Sequence, residues 1–589
     1  MKNEWRIFTK RADYNAIATK HRVNPAVAAI MTNRGIITDE QIHEFLHAGL
    51  DDTHEPRLMK DMEKAAGIMA KKIEDGVKIR IISDYDVDGV MSNYILLDGL
   101  RRTGADVSYE IPDRMLDGYG INERMIRDAH EDGVDTIITC DNGIAAFPAV
   151  TLAKSLGMTV IVTDHHEVPY EMDGDKRVYK YVPADAIVDI KQPDCSYPFK
   201  EICGATVAYK FMRELYRQMN IEWTDKNKYI EFVAIATVCD VMSLIGESRI
   251  YVKEGLKLLP HTSNPGLKAL IKENKLEGKK LSAYHLGFVI GPCINATGRL
   301  ASANEGLSLL LERNSEKAEE MAKKIVELNA SRKLLTKQGT AKALEQVEEE
   351  LKNDNVLVVY LPDLHESLAG IVAGKIREAY YKPSFVVTDA ENGFIKGSGR
   401  SIDGYNMYDA LNEVSEYLEK FGGHELAAGF SLKKENLESF RKALNEKEHL
   451  TEKELTPVKM IDIAMPTSMV RIQLCEQLEE LAPFGKGNDK PLFGELRLNI
   501  RSIRLFGSDN QYARITYVNE RGEISEGVDF NAEKLLEEMK EFFGEDTVYK
   551  MLNNLPNDSK VDILYYPEIN EYRDMRTVQI KPVDIRKSM

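Results

Sequence analysis

The chain has 589 residues, too many for one hydrophobic core, and its length suggests about four domains. Its residues are 43% hydrophobic and 29% charged, which is typical of a folded protein and excludes a largely disordered or fibrous chain. The net charge is 78 − 95 = −17, so a polyanion must be held by local groups of Lys and Arg or through metal ions.

Signals for export, membrane insertion and disulfide formation are missing from the sequence. The first residues, MKNEWRIFTK, lack the apolar core of a secretory signal, and no run approaches the ~20 apolar residues of a membrane span. The six cysteines form no CxxC pair. We therefore expect a cytoplasmic protein with no membrane contact and with reduced thiols, rather than a disulfide framework or a cysteine zinc site.

Hydrophobic patterns in chain order predict a multidomain α/β protein. Residues 1–75 have the apolar spacing of helices. In residues 76–260, short β-rich runs such as VKIRIIS and TVIVT alternate with amphipathic segments, which predicts a doubly wound parallel sheet. Residues 261–353 contain a long charged segment that we interpret as a solvated helical connector.

Two further domains are predicted in the second half of the chain. Residues 354–450 begin with the strand NVLVVY and predict a second α/β domain. In residues 457–589, alternating runs such as FGELRLNIRSIRLF and YARITYV predict a small β-barrel of the oligonucleotide-binding (OB) type.

Acidic and imidazole side chains follow three predicted strands of the first domain and one further apolar run. Ligands of open α/β sheets collect at the carboxyl ends of the strands, so these side chains should converge although they lie up to 156 residues apart. Many acids in one crevice would repel each other without cations. The set comprises Asp84, Asp86, Asp88, Asp141, Asp164, His165, His166 and Asp240.

Carboxylates and imidazoles together suit Mn²⁺ or Mg²⁺. The set is too large for one catalytic ion, which must keep positions open for water and substrate, but it suits two ions about 3.5–4 Å apart with a shared carboxylate. Such a pair would activate a water and stabilise the charge of a phosphoryl group under attack. The sequence therefore predicts a phosphoester hydrolase site.

The ordered motifs SDYDVDG, TCDNG, VTDHH and VCDV resemble those of the DHH phosphoesterase superfamily. The later segments GPCINATGR, KGSGRS, FGGHELAAGF and LAPFGKGN extend the likeness to its RecJ family of single-strand-DNA-specific exonucleases, from about residue 80 to the C-terminus. This resemblance implies a DHH catalytic domain at 76–260, a DHHA1-type substrate-binding domain at 354–450 and a nucleic-acid-binding barrel at 457–589.

The resemblance also implies roles for individual residues around two Mn²⁺ or Mg²⁺ ions. Asp141 would bridge the ions, and Asp84 would lie beside the first. His166 would face the scissile phosphate, and Asp164 would orient the histidine ring through its other nitrogen. The first ion would be held by Asp86 and Asp141, and the second by Asp88, Asp141, His165 and Asp240.

Other residues are candidates for holding the substrate strand. Amides and guanidinium groups suit phosphate oxygens, and the glycines of KGSGRS and FGGH would let backbone or imidazole approach an anion closely. Arg114 enters only through the resemblance, as a contact to the terminal phosphate. The candidates are Arg114, Asn295, Arg299, Arg400, Ser401 and His424. Arg501, Arg504 and Arg514 of the barrel are further candidates for phosphate contacts.

The sequence departs from the family pattern at DVMSL, which stands in place of the commoner DVVPL from Asp240 on, and at two further places near these motifs. Cys293 in GPCINATGR stands where the family usually has Arg, and LHESLAGIVAGK keeps His365 but lacks the usual tryptophan. None of these changes affects a proposed metal ligand, so the departures concern the grip on the strand rather than the reaction.

The function predicted from the resemblance is a single-stranded-DNA exonuclease of 5′→3′ polarity that acts in DNA recombination and repair. Its partners would be single-stranded DNA and, in the cell, a single-strand-binding protein and a helicase. The alternatives are an oligoribonuclease, a cyclic-dinucleotide phosphodiesterase or a manganese pyrophosphatase, none of which needs the final barrel. An alternative of another class is an inactive DNA-binding scaffold, which would be expected to lack several of the acidic ligands.

Overall fold

The computed structural model describes residues 3–10, 12–114, 116–174, 176–390, 393–572 and 575–588. The chain forms two compact units. The larger unit consists of Gly49–Pro457, and the smaller unit combines Asn3–Ala48 with Val458–Met589. None of the helices in the described ranges is both long enough and apolar enough to cross a bilayer.

The elements are numbered in chain order. Up to residue 239 they are β1 (Glu4–Ile7), α1 (Tyr14–His21), α2 (Pro25–Asn33), α3 (Asp39–His47), α4 (Met62–Glu74), β2 (Ile79–Ser83), α5 (Val87–Arg102), β3 (Val107–Glu110), α6 (Glu123–Glu131), β4 (Thr136–Cys140), α7 (Phe147–Ser155), β5 (Thr159–Asp164), β6 (Tyr170–Asp173), β7 (Lys176–Tyr179), β8 (Ala186–Asp189), α8 (Gly204–Gln218) and α9 (Ile230–Cys239).

The rest of the larger unit contains α10 (Gly246–Leu258), α11 (Pro265–Glu273), α12 (Ala283–His285), α13 (Gly291–Leu300), α14 (Ala303–Leu311), α15 (Ser315–Gln346), β9 (Leu357–Tyr360), α16 (Ala369–Tyr380), β10 (Ser384–Asp389), β11 (Phe394–Arg400), α17 (Met407–Glu413), β12 (Leu418–His424), β13 (Ala427–Lys433) and α18 (Leu437–Lys447).

The C-terminal part of the smaller unit contains β14 (Val458–Ile461), β15 (Ile463–Ala464), α19 (Ile472–Glu480), β16 (Phe493–Phe506), β17 (Tyr512–Val518), β18 (Ile524–Asp529), α20 (Ala532–Phe543), α21 (Glu545–Leu552), β19 (Lys560–Tyr572) and β20 (Met575–Lys587).

The first sheet of the larger unit is parallel, with the strand order β3-β2-β4-β5-β8. Alternate residues of its strands enter two cores: Ile81 packs with α5 and α8 on one face, whereas Ile82 packs with α6 and α7 on the other. The predicted doubly wound sheet is therefore confirmed. The chain reverses direction across the sheet between β2 and β4, which is where open α/β sheets place their ligands.

Helix α15 runs from the first sheet's core to the second sheet. Ala318 and Ala322 pack into the first core, and Ala343 packs near the helix's other end against the core of the second sheet. The segment predicted as a solvated connector is thus exposed on one side only, because a narrow stripe of α15 is buried, which consists of Ala318, Ala322, Ile325, Asn329, Thr336, Gly339 and Ala343.

The second sheet has the order β12-β13-β11-β10-β9, in which only the β9–β10 pair is parallel. Phe385, Phe430 and Phe440 form its core beneath α18. This confirms the predicted second α/β domain.

In the smaller unit, five strands close into a barrel, because β16 pairs with both β17 and β19, and β20 joins β18 to β19. The predicted OB-like barrel is confirmed. Ile30 and Phe45 of the N-terminal helices share its core with Leu474, and β1 pairs with β14. The single helical region predicted over residues 1–75 is thus divided between the units: residues 3–48 belong with the barrel, whereas α4 packs against β8 and α8 of the larger unit.

Candidate metal centre and cationic pocket

The acidic residues lie at the carboxyl ends of β2, β4 and β5, as the sequence predicted. Asp84 follows β2 and is buried. Asp86 caps α5, its Oδ1 accepting a hydrogen bond from the Gly89 amide at 3.0 Å. Asp141 follows β4 in a left-handed conformation with φ 60°, and Asp164 ends β5.

His165 is surrounded by carboxylates from three separate segments of the chain. Its Nε2 lies 3.0 Å from Asp141 Oδ1, 3.5 Å from Asp88 Oδ2 and 3.6 Å from Asp240 Oδ2. Asp240 stands at the C-terminus of α9 rather than at a strand end. Residues far apart in sequence therefore meet at one point, as predicted.

The possible ligand atoms divide into overlapping groups in which all of them lie within 4.8 Å of each other. One group contains Asp88, His165 and Asp240, and another contains Asp84, Asp86 and Asp141. Because Asp141 also lies 3.0 Å from His165, it is the carboxylate that links the two groups. A further combination joins Asp141 and His165 to His166.

The backbone holds Asp88 in place. Its two carboxylate oxygens accept hydrogen bonds from the amides of Gly204 at 2.6 Å and Ala205 at 2.7 Å, at the N-terminus of α8. A side chain at Gly204 would put its Cβ 2.8 Å from the Cβ of Asp141, so the close approach of α8 requires glycine.

The electrostatics of the cluster fit divalent cations. Burial and then the charge of Asp86 raise the pKa of Asp84 to about 8 and that of Asp88 to about 6, and burial and neighbouring carboxylates raise the pKa of Asp141 well above its usual range. Asp84 Oδ1 is buried without a hydrogen-bond partner among the described residues. Burial and the charge of His166 lower the pKa of His165 to about 3, which keeps that ring neutral and able to bind a metal.

His166 is held by Asp164 at the edge of the cluster, and a nitrogen of its ring lies within 4.8 Å of ligand atoms of Asp141 and His165. His166 Nδ1 lies 2.7 Å from Asp164 Oδ1, and Asp164 Oδ2 accepts a hydrogen bond from the Ile144 amide at 2.9 Å. The Tyr119 hydroxyl lies 3.1 Å from His166 Nε2 and donates to the Asp141 carbonyl. Burial would lower the pKa of His166, but the charges of Asp164 and further acids raise it to about 10.

A pocket of cationic side chains adjoins this centre. Arg114 stacks on the ring of Tyr85, with its guanidinium carbon 4.6 Å from the ring centroid, and Tyr85 lies between Asp84 and Asp86 in the chain. The Arg299 guanidinium donates to the Ser367 carbonyl at 2.6 Å. The charged and aromatic residues of the pocket are Tyr85, Arg114, Arg299, Glu366, Lys396, Arg400 and Phe430.

The positive charges of the pocket are largely uncompensated. Lys396 pairs with Glu366 at 3.0 Å, whereas Arg114, Arg299 and Arg400 form no ion pair with any carboxylate in the described part of the chain. Burial and then the charge of Arg114 lower the pKa of Arg299 to about 9. A group of half-buried like charges indicates a site for an anion.

The segment KGSGRS forms strand β11 and is not a loop, which corrects the expectation that its backbone amides are free to approach an anion. Its glycines serve packing instead: a Cβ at Gly397 would lie 2.2 Å from the Phe430 ring, and one at Gly399 would lie 2.4 Å from Met407 Sδ. The side chains of Lys396 and Arg400 nevertheless line the pocket.

Three predicted substrate-binding residues do not line this pocket. Ser401 is buried and donates its hydroxyl to the Tyr405 carbonyl at 2.6 Å. His424 ends β12 and is exposed, and its Nδ1 accepts a hydrogen bond from the Leu426 amide. Asn295 is half-buried on α13.

Sequence reasoning missed several residues of the site. Tyr85 and Lys396 lie inside motifs that we had identified, so their position was a usable signal. Glu366 lies in LHESLAGIVAGK, the segment that we discuss for His365 and the missing tryptophan, so its position was a usable signal too. Asp189, buried opposite Asp164 in the register of β5 and β8, was also missed.

The barrel has an exposed surface of arginine and aromatic side chains. Arg504 and Arg514 face each other in the register of β16 and β17, next to the pair Phe506 and Tyr512. Phe530 lies 5.6 Å from Tyr512 between ring centroids. Like charges directly opposite each other destabilise a sheet, and Glu526, 3.8 Å from Arg514, compensates one of them only in part.

Comparison with known domains covers most of the chain. Residues 78–237 match the DHH family N-terminal domain, residues 353–449 match the DHHA1 domain and residues 461–584 match the RecJ OB domain.

Curated relatives match over almost the whole length. The chain is 30% identical to the single-stranded-DNA-specific exonuclease RecJ of Escherichia coli strain K12, and the match covers 94% of this chain and 95% of that protein. This protein belongs to the RecJ family. The RecJ of Bacillus subtilis strain 168 is 35% identical over 90% of this chain and 67% of its own length.

Solved RecJ structures share the fold. A crystal structure of RecJ in complex with Mn²⁺ from Thermus thermophilus has a TM-score of 0.80 at 24% identity and covers 100% of this chain and 80% of that one. An exonuclease RecJ bound to manganese is 31% identical with a TM-score of 0.57, covering 66% of this chain and 94% of that one.

Proposed function

We propose that this protein is a 5′→3′ exonuclease that hydrolyses the phosphodiester bonds of single-stranded DNA with two Mn²⁺ or Mg²⁺ ions. The observation that carries the proposal is that two sites of opposite charge lie next to each other in the larger unit. Carboxylates and His165 form groups that Asp141 links, and they adjoin a pocket whose arginines have no ion pair among the described residues.

The metal ligands follow from the two groups of side chains. Asp84, Asp86 and Asp141 would hold one ion, and a second set would hold the other, consisting of Asp88, Asp141, His165 and Asp240. When bound, the two ions would supply an activated water and stabilise the negative charge of the phosphoryl group. The neutral ring of His165 and the raised pKa values of Asp84 and Asp88 support this assignment, because a cation would relieve the repulsion among the acids.

His166 would hold a proton at the edge of the centre. Asp164 fixes its Nδ1, which leaves Nε2 next to the Tyr119 hydroxyl. A cationic imidazole there would stabilise the scissile phosphate or pass a proton to the leaving oxygen. Asp164 would act through the ring's orientation.

The cationic pocket would bind the terminal phosphate of the strand. Arg299 and Arg400 each donate a hydrogen bond to a backbone carbonyl oxygen, which fixes the guanidinium group in place. Their remaining N–H groups can therefore contact an anion without reorganisation. Arg114 would close the pocket from the Tyr85 side. An end-specific pocket beside the metal centre favours an exonuclease, and a 5′ phosphate as its ligand is implied by the family. Asn295, Ser401 and His424 stay predictions as strand contacts.

The barrel would extend the grip on the strand in its own right. Arg504 and Arg514 suit phosphate oxygens, and Phe506, Tyr512 and Phe530 offer faces for stacking bases. This surface and the match to a RecJ OB domain favour a long strand over a dinucleotide. The complete set of acidic ligands argues against an inactive scaffold.

The cellular context is part of the same proposal. An enzyme that removes nucleotides from one strand would act in DNA recombination and repair in the cytoplasm. A helicase that produces single strands and a single-strand-binding protein that covers them are the partners that this substrate calls for.

The decisive experiment uses the full chain with Mn²⁺ and labelled nucleic acids. We expect release of mononucleotides or short products from single strands, from the 5′ end first, and slow digestion of blunt duplexes. A 5′-phosphorylated strand should be preferred to one with a 5′ hydroxyl. Digestion of dinucleotides with long strands left intact would instead support the small-substrate alternative.

A further inference from the structure

A pair of exposed aromatic rings lies just before α13. Tyr284 and Phe288 stack on each other with ring centroids 5.1 Å apart and an angle of 22° between the planes. Their exposures are 63% and 66%, whereas Leu286 and Ile290 of the same turns are fully buried. The turn is thus anchored by its aliphatic side chains while both aromatic rings face outward.

The backbone here is a single π-helical turn, Leu286–Ile290, between α12 and α13. Such turns are rare in proteins, and they occur frequently at functional sites. The turn changes the angular spacing, so it affects which side chains are presented outward. Large exposed aromatic pairs are otherwise uncommon on a soluble surface.

The turn contacts the metal centre through α9. Cys239, directly before Asp240, donates its thiol to the Leu286 carbonyl at 3.6 Å, and a Cβ at Gly291 would lie 2.2 Å from Cys239 Sγ. The aromatic pair is therefore next to the end of α9 that carries Asp240.

The opposite end of α13 borders the cationic pocket. A Cβ at Gly298 would lie 2.9 Å from the Tyr85 carbonyl, and Arg299 itself lines the pocket. Helix α13 has 10 residues and so spans about 15 Å. It runs alongside the metal centre, with the pocket at one end and the aromatic pair beyond the other.

Positive charge accompanies the rings. Lys279 and Lys280 are exposed in the loop before α12, and burial and then the charge of Lys279 lower the pKa of His285, which lies between the two aromatic residues in sequence. Aromatic faces next to lysines are the combination that binds single-stranded nucleic acid, where bases stack and phosphates are neutralised.

We propose that Tyr284 and Phe288 form a stacking platform for bases of the single strand on the far side of the scissile phosphate. The inference rests on the proposed function: with the terminal phosphate in the cationic pocket, the strand passes the metal centre and leaves beyond Asp240, where the rings are exposed. The platform would bind all bases without sequence preference, because every base has an aromatic face that can stack.

The test is a double variant, Tyr284→Ala with Phe288→Ala, in the full chain. Its KM for a 5′-phosphorylated 20-mer should rise about tenfold, while kcat stays near that of the unchanged protein and the KM for a strand too short to reach the rings does not change. Phe288→Trp should retain the affinity. Tyr549→Ala, which removes a ring of 61% exposure in the smaller unit, is the matched control and should change nothing.

Strands with single abasic positions separate stacking from a structural role. The unchanged protein should lose affinity when a base that reaches the platform is missing, and the double variant should no longer respond to that omission. An unchanged KM in the double variant, or an unchanged response to the abasic positions, would overturn the platform. A variant that altered self-association in sedimentation while binding strands normally would also overturn it and assign the rings to a second copy. Failure of the proposed function would differ from all of these, since the unchanged protein would then digest no strand.

Discussion

The larger unit contains a cluster of acidic side chains and, next to it, a cluster of basic side chains. The two clusters are assembled from the chain in different ways. The acidic centre collects side chains at the ends of adjacent parallel strands and of α9, most of them from contiguous motifs. The cationic pocket collects single residues from a loop, from α13 and from β11. Within each cluster the like charges repel each other, which is unfavourable for folding. This region is therefore organised to bind ligands of opposite charge rather than for stability.

The comparison also separates the expected roles. Charges in the acidic centre would act on the reacting phosphate through cations, so their loss should reduce kcat. Charges in the cationic pocket would hold a group that does not react, so their loss should mainly raise KM.

Removal of the shared carboxylate is the most severe test. Asp141→Ala should lower kcat by more than the roughly 100-fold that supporting residues of metal sites cost. The same variant should melt at a higher temperature without metal, because one repelling charge is lost. Glu345→Ala, an exposed carboxylate on α15, is the control and should affect neither quantity. Near-normal turnover of Asp141→Ala with added Mn²⁺ would refute the shared-ligand assignment.

Replacement of His166 tests the proton-holding role beside the acids. His166→Gln should lower kcat by about 100-fold, the lower end of the range for general acids and bases, with little change in KM. Single-turnover rates on a labelled strand measure the effect. His130→Gln, at the exposed end of α6, is the matched control. A change in KM alone would show that His166 binds the strand and takes no part in the chemical step.

Truncation of an arginine in the cationic pocket should have a smaller effect, on KM rather than on kcat. Arg400→Ala should raise KM for 5′-phosphorylated strands about tenfold, as expected for a hydrogen bond between charged groups, with kcat nearly unchanged. The loss should shrink for strands with a 5′ hydroxyl. Arg127→Ala, exposed on α6, serves as the control. Equal losses for both strand types would show that Arg400 does not contact the terminal phosphate.

Repulsion in the acidic centre predicts a pH-dependent response to metal. The raised pKa values of Asp84 and Asp88 mean that the metal-free folded protein binds more protons than the unfolded chain above about pH 4, so its stability falls as the pH rises towards 8. Mn²⁺ should therefore raise the melting temperature by several degrees more at pH 8 than at pH 6. Thermal melts with Mn²⁺ or a chelator at both pH values measure this. Equal shifts at both would contradict the assigned pKa directions.

The smallest expected effect concerns the barrel. Arg504→Ala with Arg514→Ala should reduce the salt dependence of strand binding by about 0.7 per lost contact in the log–log slope. It should leave kcat on short strands unaltered. Fluorescence anisotropy over a range of salt concentrations gives the slope, and Arg521→Ala is the control. An unchanged slope would place the strand elsewhere on the barrel.

The acidic centre could be predicted from sequence because its geometry is local. Each motif follows an apolar strand, and parallel strands bring their ends together, so Asp84, Asp141 and His165 converge without knowledge of any loop. Asp240 was found through its motif, although it ends a helix. The pocket was predicted less completely, since Lys396 and Glu366 acquire their role only through the packing of the turn Glu366–Leu368 against α13 and of α16 against β11.

Glycines and the N-terminal region show why the rest was not predicted. We expected the glycines of KGSGRS to let backbone amides approach an anion, yet they lie in a regular strand, where Gly397 leaves room for Phe430 and Gly399 for Met407. The apolar stripes of α2 and α4 look alike in sequence, but one faces the barrel and the other faces the first sheet. A helix pattern reveals that a face is buried, not which partner buries it.

The smaller unit is assembled from segments that are synthesised far apart in time. Strand β1 needs β14 as its partner, and about 450 residues separate them in the chain. At 5–20 residues per second, the ribosome takes roughly 20–90 s to deliver that partner. During this interval the apolar faces of α2 and α3 lack the barrel that covers them, so the nascent chain should depend on chaperones more at its N-terminal segment than at the larger unit, whose strands emerge in succession.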